Sequence, residues 1–161
     1  MSRKSLRKLG WDYSSTATYF ITINLDFNSS KFGTVTKEGI QLNELGKLVK
    51  TKWESIPEHA PTIKLGEFVI MPDHIHGIIH FTASDDASRT TSAKFGSQRK
   101  NLPAAIRGFK SGFTSLVRPS FPSFAWQIGY HDRILFSQDE IVRGENYIRN
   151  NPQKAIDKMI D

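Results

Sequence analysis

The segment Met71-Pro72-Asp73-His74-Ile75-His76-Gly77-Ile78-Ile79-His80 places two imidazoles one residue apart. An apolar run reaches a Pro-Asp turn and re-emerges as His-Ile-His. The sequence therefore predicts a strand carrying His74 and His76 on one face, with Ile75 pointing into the core. Paired imidazoles are poor core material and good ligands for a divalent cation. His80 shares their parity but stands about 13 Å further along by strand rise, too far for the same ion unless the strand bends. Two imidazoles do not complete a site. Asp73, Glu67 or the last helix could add an oxygen, and in that helix Tyr147 and Asn151 stand four apart, stacked on one face. The plainer alternative is two hydrogen-bonded histidines, a packed tyrosine and an asparagine that ends its helix.

A neutral amide beside two neutral imidazoles leaves an ion strongly positive, which suits Mg²⁺ or Mn²⁺ acting on a phosphodiester. Tyr147 is then a rational nucleophile. Attack by its phenol on phosphorus gives a phosphotyrosine ester that conserves the bond's energy for rejoining, whereas hydrolysis discards it. An ordinary phenol, with a pKa of about 10, needs help from a base, a metal or a cation. Arg143, one turn earlier, is a candidate for that help or simply an exposed arginine.

The elements that must position these groups are legible in outline. Residues 17–25 alternate as a strand, and residues 31–35 suggest a short partner strand or extended loop. Leu42, Leu45, Leu48, Val49 and Trp53 form the stripe of an amphipathic helix that Pro57 stops. Strands are expected over residues 64–71 and 74–81, and a polar, mobile loop over residues 82–98. Pro103 opens a helix carrying Leu102, Ile106, Phe109, Phe113 and Leu116, and residues 126–135 are strand-compatible. Ser137 and Glu140 make a capping box for a last helix, which Pro152 is expected to end near Asn151. This order predicts an α+β ferredoxin-like sandwich: a mostly antiparallel sheet with two helices on one side.

With 161 residues and 38% hydrophobic composition, one domain is expected over residues 1–161. No apolar run is long enough to span a membrane and no signal-peptide core follows the basic start, so a soluble, cytoplasmic, nucleoid-associated protein is expected. The absence of cysteine excludes disulfides, thiolate catalysis and cysteine-held metal sites. The net charge of +6 is unevenly spread. Arg3, Lys4, Arg7 and Lys8 form a basic arm. Between Asp86 and Asp132 there is no acidic residue, while Arg89, Lys94, Arg99, Lys100, Arg107, Lys110 and Arg118 all fall there. Such segregation attracts polyanions. Trp126-Gln127 and Tyr130-His131-Asp132-Arg133 offer side chains that stack on bases or grip phosphate, with His131 and Arg133 sharing strand parity. Trp126 and Tyr130 suit a core equally well, and packing roles are expected for Trp11, Tyr13 and Tyr19.

From about Lys8 to Ala155 the chain resembles the Y1 transposases of the IS200/IS605 type, and more closely the REP-associated tyrosine transposases, a subgroup of the single-tyrosine HUH endonucleases. The resemblance rests on Gly10-Trp11-Asp12-Tyr13, Tyr19-Phe20-Ile21-Thr22, residues 71–79, Phe109-Lys110-Ser111, Trp126-Gln127 and Tyr147-Ile148-Arg149-Asn150-Asn151-Pro152, in that order. It implies His74 and His76 as metal ligands, Asn151 as the third, and Tyr147 as nucleophile. It also implies cleavage of single-stranded DNA near repeat-derived hairpins through a 5′-phosphotyrosine, on a ferredoxin-like fold. Insertion-sequence relatives are dimers and the repeat-associated group is thought to act as monomers, so monomer and homodimer both stay open. Where many relatives have an acid before His and an Arg soon after, this chain reads Tyr130-His131-Asp132-Arg133-Ile134-Leu135-Phe136, a departure that bears on backbone contacts and hairpin recognition. A nucleic-acid binder without catalysis and a water-using metal nuclease are the competing functions.

Overall fold

In the computed structural model, which describes residues 8–83 and 101–161, the elements run β1 (Ala17–Asn24), β2 (Gly33–Thr36), β3 (Gly39–Leu42), α1 (Glu44–Glu54), α2 (Ile56–His59), β4 (Ile63–Ile70), β5 (His74–Phe81), α3 (Leu102–Val117), β6 (His131–Leu135) and α4 (Gln138–Ile160). The expected arm residues Arg3, Lys4 and Arg7, and nearly all of the expected loop, lie outside the described residues.

The main sheet has the order β4-β5-β1-β6 with every neighbouring pair antiparallel. Counting only its own strands in chain order, this is 2-3-1-4, made by two interlocked β-α-β crossovers through α1 and α3. That is the ferredoxin-like sandwich expected from the element order. β2 and β3 form a separate hairpin inserted before α1.

Strand alternation sorts the sheet into two faces. Tyr19, Ile21, Ile23, Ile75, Ile79 and Phe81 point to one side and bury against α1 and α3, which supply Leu45, Val49, Trp53, Ile106, Phe109 and Phe113. The opposite face carries Phe20, Ile78 and Leu135, which pack with Ile148 of α4. The two crossover helices thus share one side, and among the described residues α4 is the helix on the histidine side.

Gly77, between these histidines and the core, has a packing reason. A Cβ there would stand 2.5 Å from Cζ2 of Trp53, a fully buried ring. Gly77→Ala should therefore cost about 1–3 kcal/mol, the usual range for overpacking. Urea denaturation measures it, and pairing the change with Trp53→Phe should recover part of the loss. Equal stability of Gly77→Ala and wild type would show that the ring can yield.

Helix starts follow the side chains available. Asn43 and Asn101 accept backbone N–H bonds from Gly46 and Ala104, both at 2.9 Å. At α4, Ser137 Oγ accepts from the Glu140 N–H at 3.2 Å, while the Glu140 carboxylate reaches back to the Phe136 N–H at 2.6 Å.

Three sequence expectations need correction. Pro152 does not end the last helix, which continues to Ile160. A proline removes one intrahelical N–H bond, but the added turns bury Ile156, which offsets that loss, and α4 as a whole also packs against the β2–β3 hairpin. Pro57 does not stop α1 directly. The helix ends at Glu54, and Pro57 sits in the first turn of α2, where its missing N–H has no consequence. Residues 126–130 are not part of a strand, because only His131–Leu135 pairs with β1 and Trp126 makes an isolated bridge to Leu25.

Candidate active site

β1 and β5 pair in a register that sets Thr22 opposite His76 and Asn24 opposite His74. The two imidazoles lie on one face with ring centroids 4.5 Å apart, as their parity required. Each ring is held at Nδ1. Asp73 Oδ1 lies 2.7 Å from His74 Nδ1, and Thr22 Oγ1 lies 2.9 Å from His76 Nδ1. Anchoring one nitrogen fixes ring orientation and turns Nε2 toward a shared partner. His76 is buried, and desolvation, helped by the charge of His74, pushes its imidazole down to about 4. It is therefore neutral at physiological pH, the form that ligates a metal.

α4 crosses this face and brings Tyr147 over it. The Tyr147 ring centroid is 5.4 Å from that of His76 and 5.8 Å from that of Phe20, both edge-on. Phe20 also touches His76 at 5.4 Å, so the three rings form one cluster. Tyr147 remains 44% exposed, so part of the residue stays open to solvent and to a large substrate. Gly144, Ile148 and Asn151 are buried positions of the same helix, at spacings of four and three, and mark its sheet-facing side. Asn151 is accordingly buried one turn beyond Tyr147.

The donor chemistry fits a cation held by few protein ligands. Among the described residues no three His, Cys, Asp or Glu side chains form a metal-holding group. A cation here would rest on His74, His76 and the neutral amide of Asn151, with oxygens of a substrate phosphate completing its shell. Asp73, engaged with His74, serves better as an orienting partner than as a ligand.

The other candidate residues divide. His131 and Arg133 stand opposite Thr22 and Phe20 on β1, so both lie on the histidine face, and the Arg133 guanidinium carbon is 5.6 Å from the Phe20 ring centre. Arg107 and Lys110 belong to α3, behind the sheet, and Arg118 is its C-cap. Arg107 is exposed, whereas Lys110 Nζ donates to the carbonyls of Gln127 at 3.0 Å and Gly129 at 2.7 Å, and its burial lowers its pKa. Arg118 reaches the Phe124 carbonyl at 3.4 Å. Trp126 is packed among Phe32, Phe109, Phe113 and Phe124 and donates Nε1–H to the Lys110 carbonyl, which is a core role. Lys8 lies over the rings of Trp11 and Phe136 at 5.7 and 5.0 Å.

Sequence reasoning missed two members of the site. Thr22 is identified only by strand register, which no local pattern encodes. Lys154, whose Nζ sits 4.8 Å over the Tyr147 ring, is seven residues and two turns on. Helical spacing would have found it had Pro152 not been read as the end of the helix.

The fold is a four-stranded antiparallel sheet with two crossover helices on one face and the long helix α4 on the other. A solved structure of a REP-associated tyrosine transposase bound to a REP hairpin shares it, with a TM-score of 0.61 at 19% identity over 92% of this chain and 73% of that one. No family model matches the sequence. An uncharacterized protein of Haemophilus influenzae strain Rd is 34% identical over 158 residues, 93% of this chain and 88% of that protein, and the chain belongs to its family.

Proposed function

We propose that this protein is a DNA strand-cleaving and strand-joining enzyme that uses Tyr147 as nucleophile and acts on single-stranded DNA beside a hairpin. The observation that carries this is the seating of an accessible tyrosine on a buried, neutral histidine whose partner imidazole shares its face. A packing tyrosine has no need of that exposure, and a DNA-binding surface has no need of two imidazoles anchored at Nδ1. The structural neighbour's bound REP hairpin supports hairpin DNA as the substrate class.

In this reading the Tyr147 oxygen attacks the scissile phosphorus. The phenol releases its proton to solvent as the new O–P bond forms and the bond to the departing 3′-oxygen breaks, and that oxygen takes up a proton in turn. The 5′-phosphate remains esterified to the protein, and attack by a 3′-hydroxyl reverses the step. Phe20 and His76 hold the phenol ring in place, so its oxygen is presented to the phosphate with little reorganisation. Lys154 brings positive charge to the same ring. His74, His76 and Asn151 would hold Mg²⁺ or Mn²⁺, and such an ion supplies charge neutralisation at the scissile phosphate.

The test is direct. Wild-type protein, Mg²⁺ and a 3′-labelled hairpin with a single-stranded flank are run on a denaturing protein gel. A labelled protein band is expected, and mass spectrometry should place the nucleotide on Tyr147. Cleaved DNA without any labelled protein would favour hydrolysis by water, and intact DNA in a stable complex would favour a binder.

A further inference from the structure

A groove of about 390 Å³ opens directly beside Tyr147, between β6 and the first turns of α4. Its walls are Arg133, Ile134 and Leu135 on the strand and Glu140, Arg143 and Tyr147 on the helix. We propose that this groove is the subsite for the nucleotides next to the scissile phosphate, and that Arg133 and Arg143 grip their backbone phosphates.

Several independent features point to a polyanionic strand as the occupant. The groove's one carboxylate, Glu140, is engaged by the Phe136 N–H at 2.6 Å as part of the helix start, so it is committed to capping. Two guanidiniums against that single carboxylate leave the groove positive. Both arginines are exposed, yet both are oriented from within the fold. Arg133 lies on the face of Phe20, the ring that also supports Tyr147 and His76. Arg143 directs Nε–H to the Asp139 carbonyl at 3.4 Å, while its terminal nitrogens carry further donors. A planar guanidinium fixed at one edge suits bidentate contact with phosphate.

Size selects among polyanions. The volume is that of a small-molecule site, with room for nucleotide units of a single strand and not for the width of a duplex. The basic side chains of α3 lie across the sheet from Tyr147 and cannot serve this position. Arg133 and Arg143 are the basic side chains that line the groove itself.

This inference rests on the strand-cleaving reading but has its own measurement. A fluorescent single-stranded oligonucleotide is titrated by anisotropy in EDTA, where no cleavage occurs. The proteins are wild type, Arg133→Gln, Arg143→Gln, the double variant and Lys50→Gln, which lies on α1 behind the sheet. Each groove substitution should weaken binding by roughly 5–10-fold and reduce the slope of log affinity on log salt by about 0.7, as expected for one phosphate contact on a single strand. Lys50→Gln should stay within about twofold, and Arg143→Lys should retain the wild-type slope because the charge remains. Unchanged affinity and slope in a normally folded double variant would overturn the groove, even if wild type forms the covalent adduct. Loss of affinity without any wild-type adduct would keep the groove and remove the chemistry.

Discussion

Tyr147→Phe should abolish covalent capture of DNA while folding and DNA binding persist. The substitution removes one oxygen and keeps the ring that rests on Phe20 and His76. Because the residue is 44% exposed, no buried hydrogen bond is broken, and stability should change by less than about 0.5 kcal/mol. The loss of adduct should be complete, since no other tyrosine can substitute. Tyr13, Tyr19 and Tyr130 are each buried to 9% exposure or less. The Tyr19 hydroxyl accepts from Trp11 Nε1 and that of Tyr13 donates to Asp132. A denaturing gel with 3′-labelled hairpin and an anisotropy titration, run on both proteins, give the two readouts. A labelled adduct in Tyr147→Phe, or linkage at Tyr130, would overturn the assignment.

The second large effect is at His76. Removing this imidazole by His76→Ala should weaken Mn²⁺ binding by more than 100-fold, beyond the roughly 10–100-fold typical of losing an outer partner, and should stop cleavage. Thr22→Val, which deletes only the hydroxyl at Nδ1, should fall within that smaller range because the ring remains but loses its anchor. Calorimetry on the Tyr147→Phe background, with hairpin DNA present, lets substrate oxygens contribute without turnover. Equal Mn²⁺ affinity in all three proteins would exclude a cation from this strand. An effect of Thr22→Val as large as that of His76→Ala would make the hydroxyl a ligand in its own right.

The histidine pair was legible because side-chain parity in a strand is a local property, and the structure keeps both rings on one face. The sandwich was legible because two crossovers around a hairpin leave few ways to order four strands. What escaped depends on distant partners or on packing that overrides a local rule. Thr22 lies 54 residues from His76 in sequence, and only the register joins them. β3 is four residues long and opens on Gly39, whose φ of 135° favours glycine, so no periodicity had room to show. Pro152 carried a true local cost, yet burial of Ile156 against the fold kept the helix going. Lys110 and Trp126 were ambiguous by type, since an ammonium can serve phosphates or carbonyls and an indole can stack on bases or fill a core. Here Lys110 donates to the carbonyls of Gln127 and Gly129, and Trp126 donates to that of Lys110.

The course of α4 has a kinetic meaning. One uninterrupted helix carries Tyr147 onto His76 of the same chain, capped by Ser137 at its start and burying Ile156 near its end. In the strand-cleaving reading, Tyr147 meets His76 within one polypeptide, so assembly of such a centre is unimolecular and activity per molecule should not fall on dilution. A loss of specific activity on dilution would show that a second copy contributes to it.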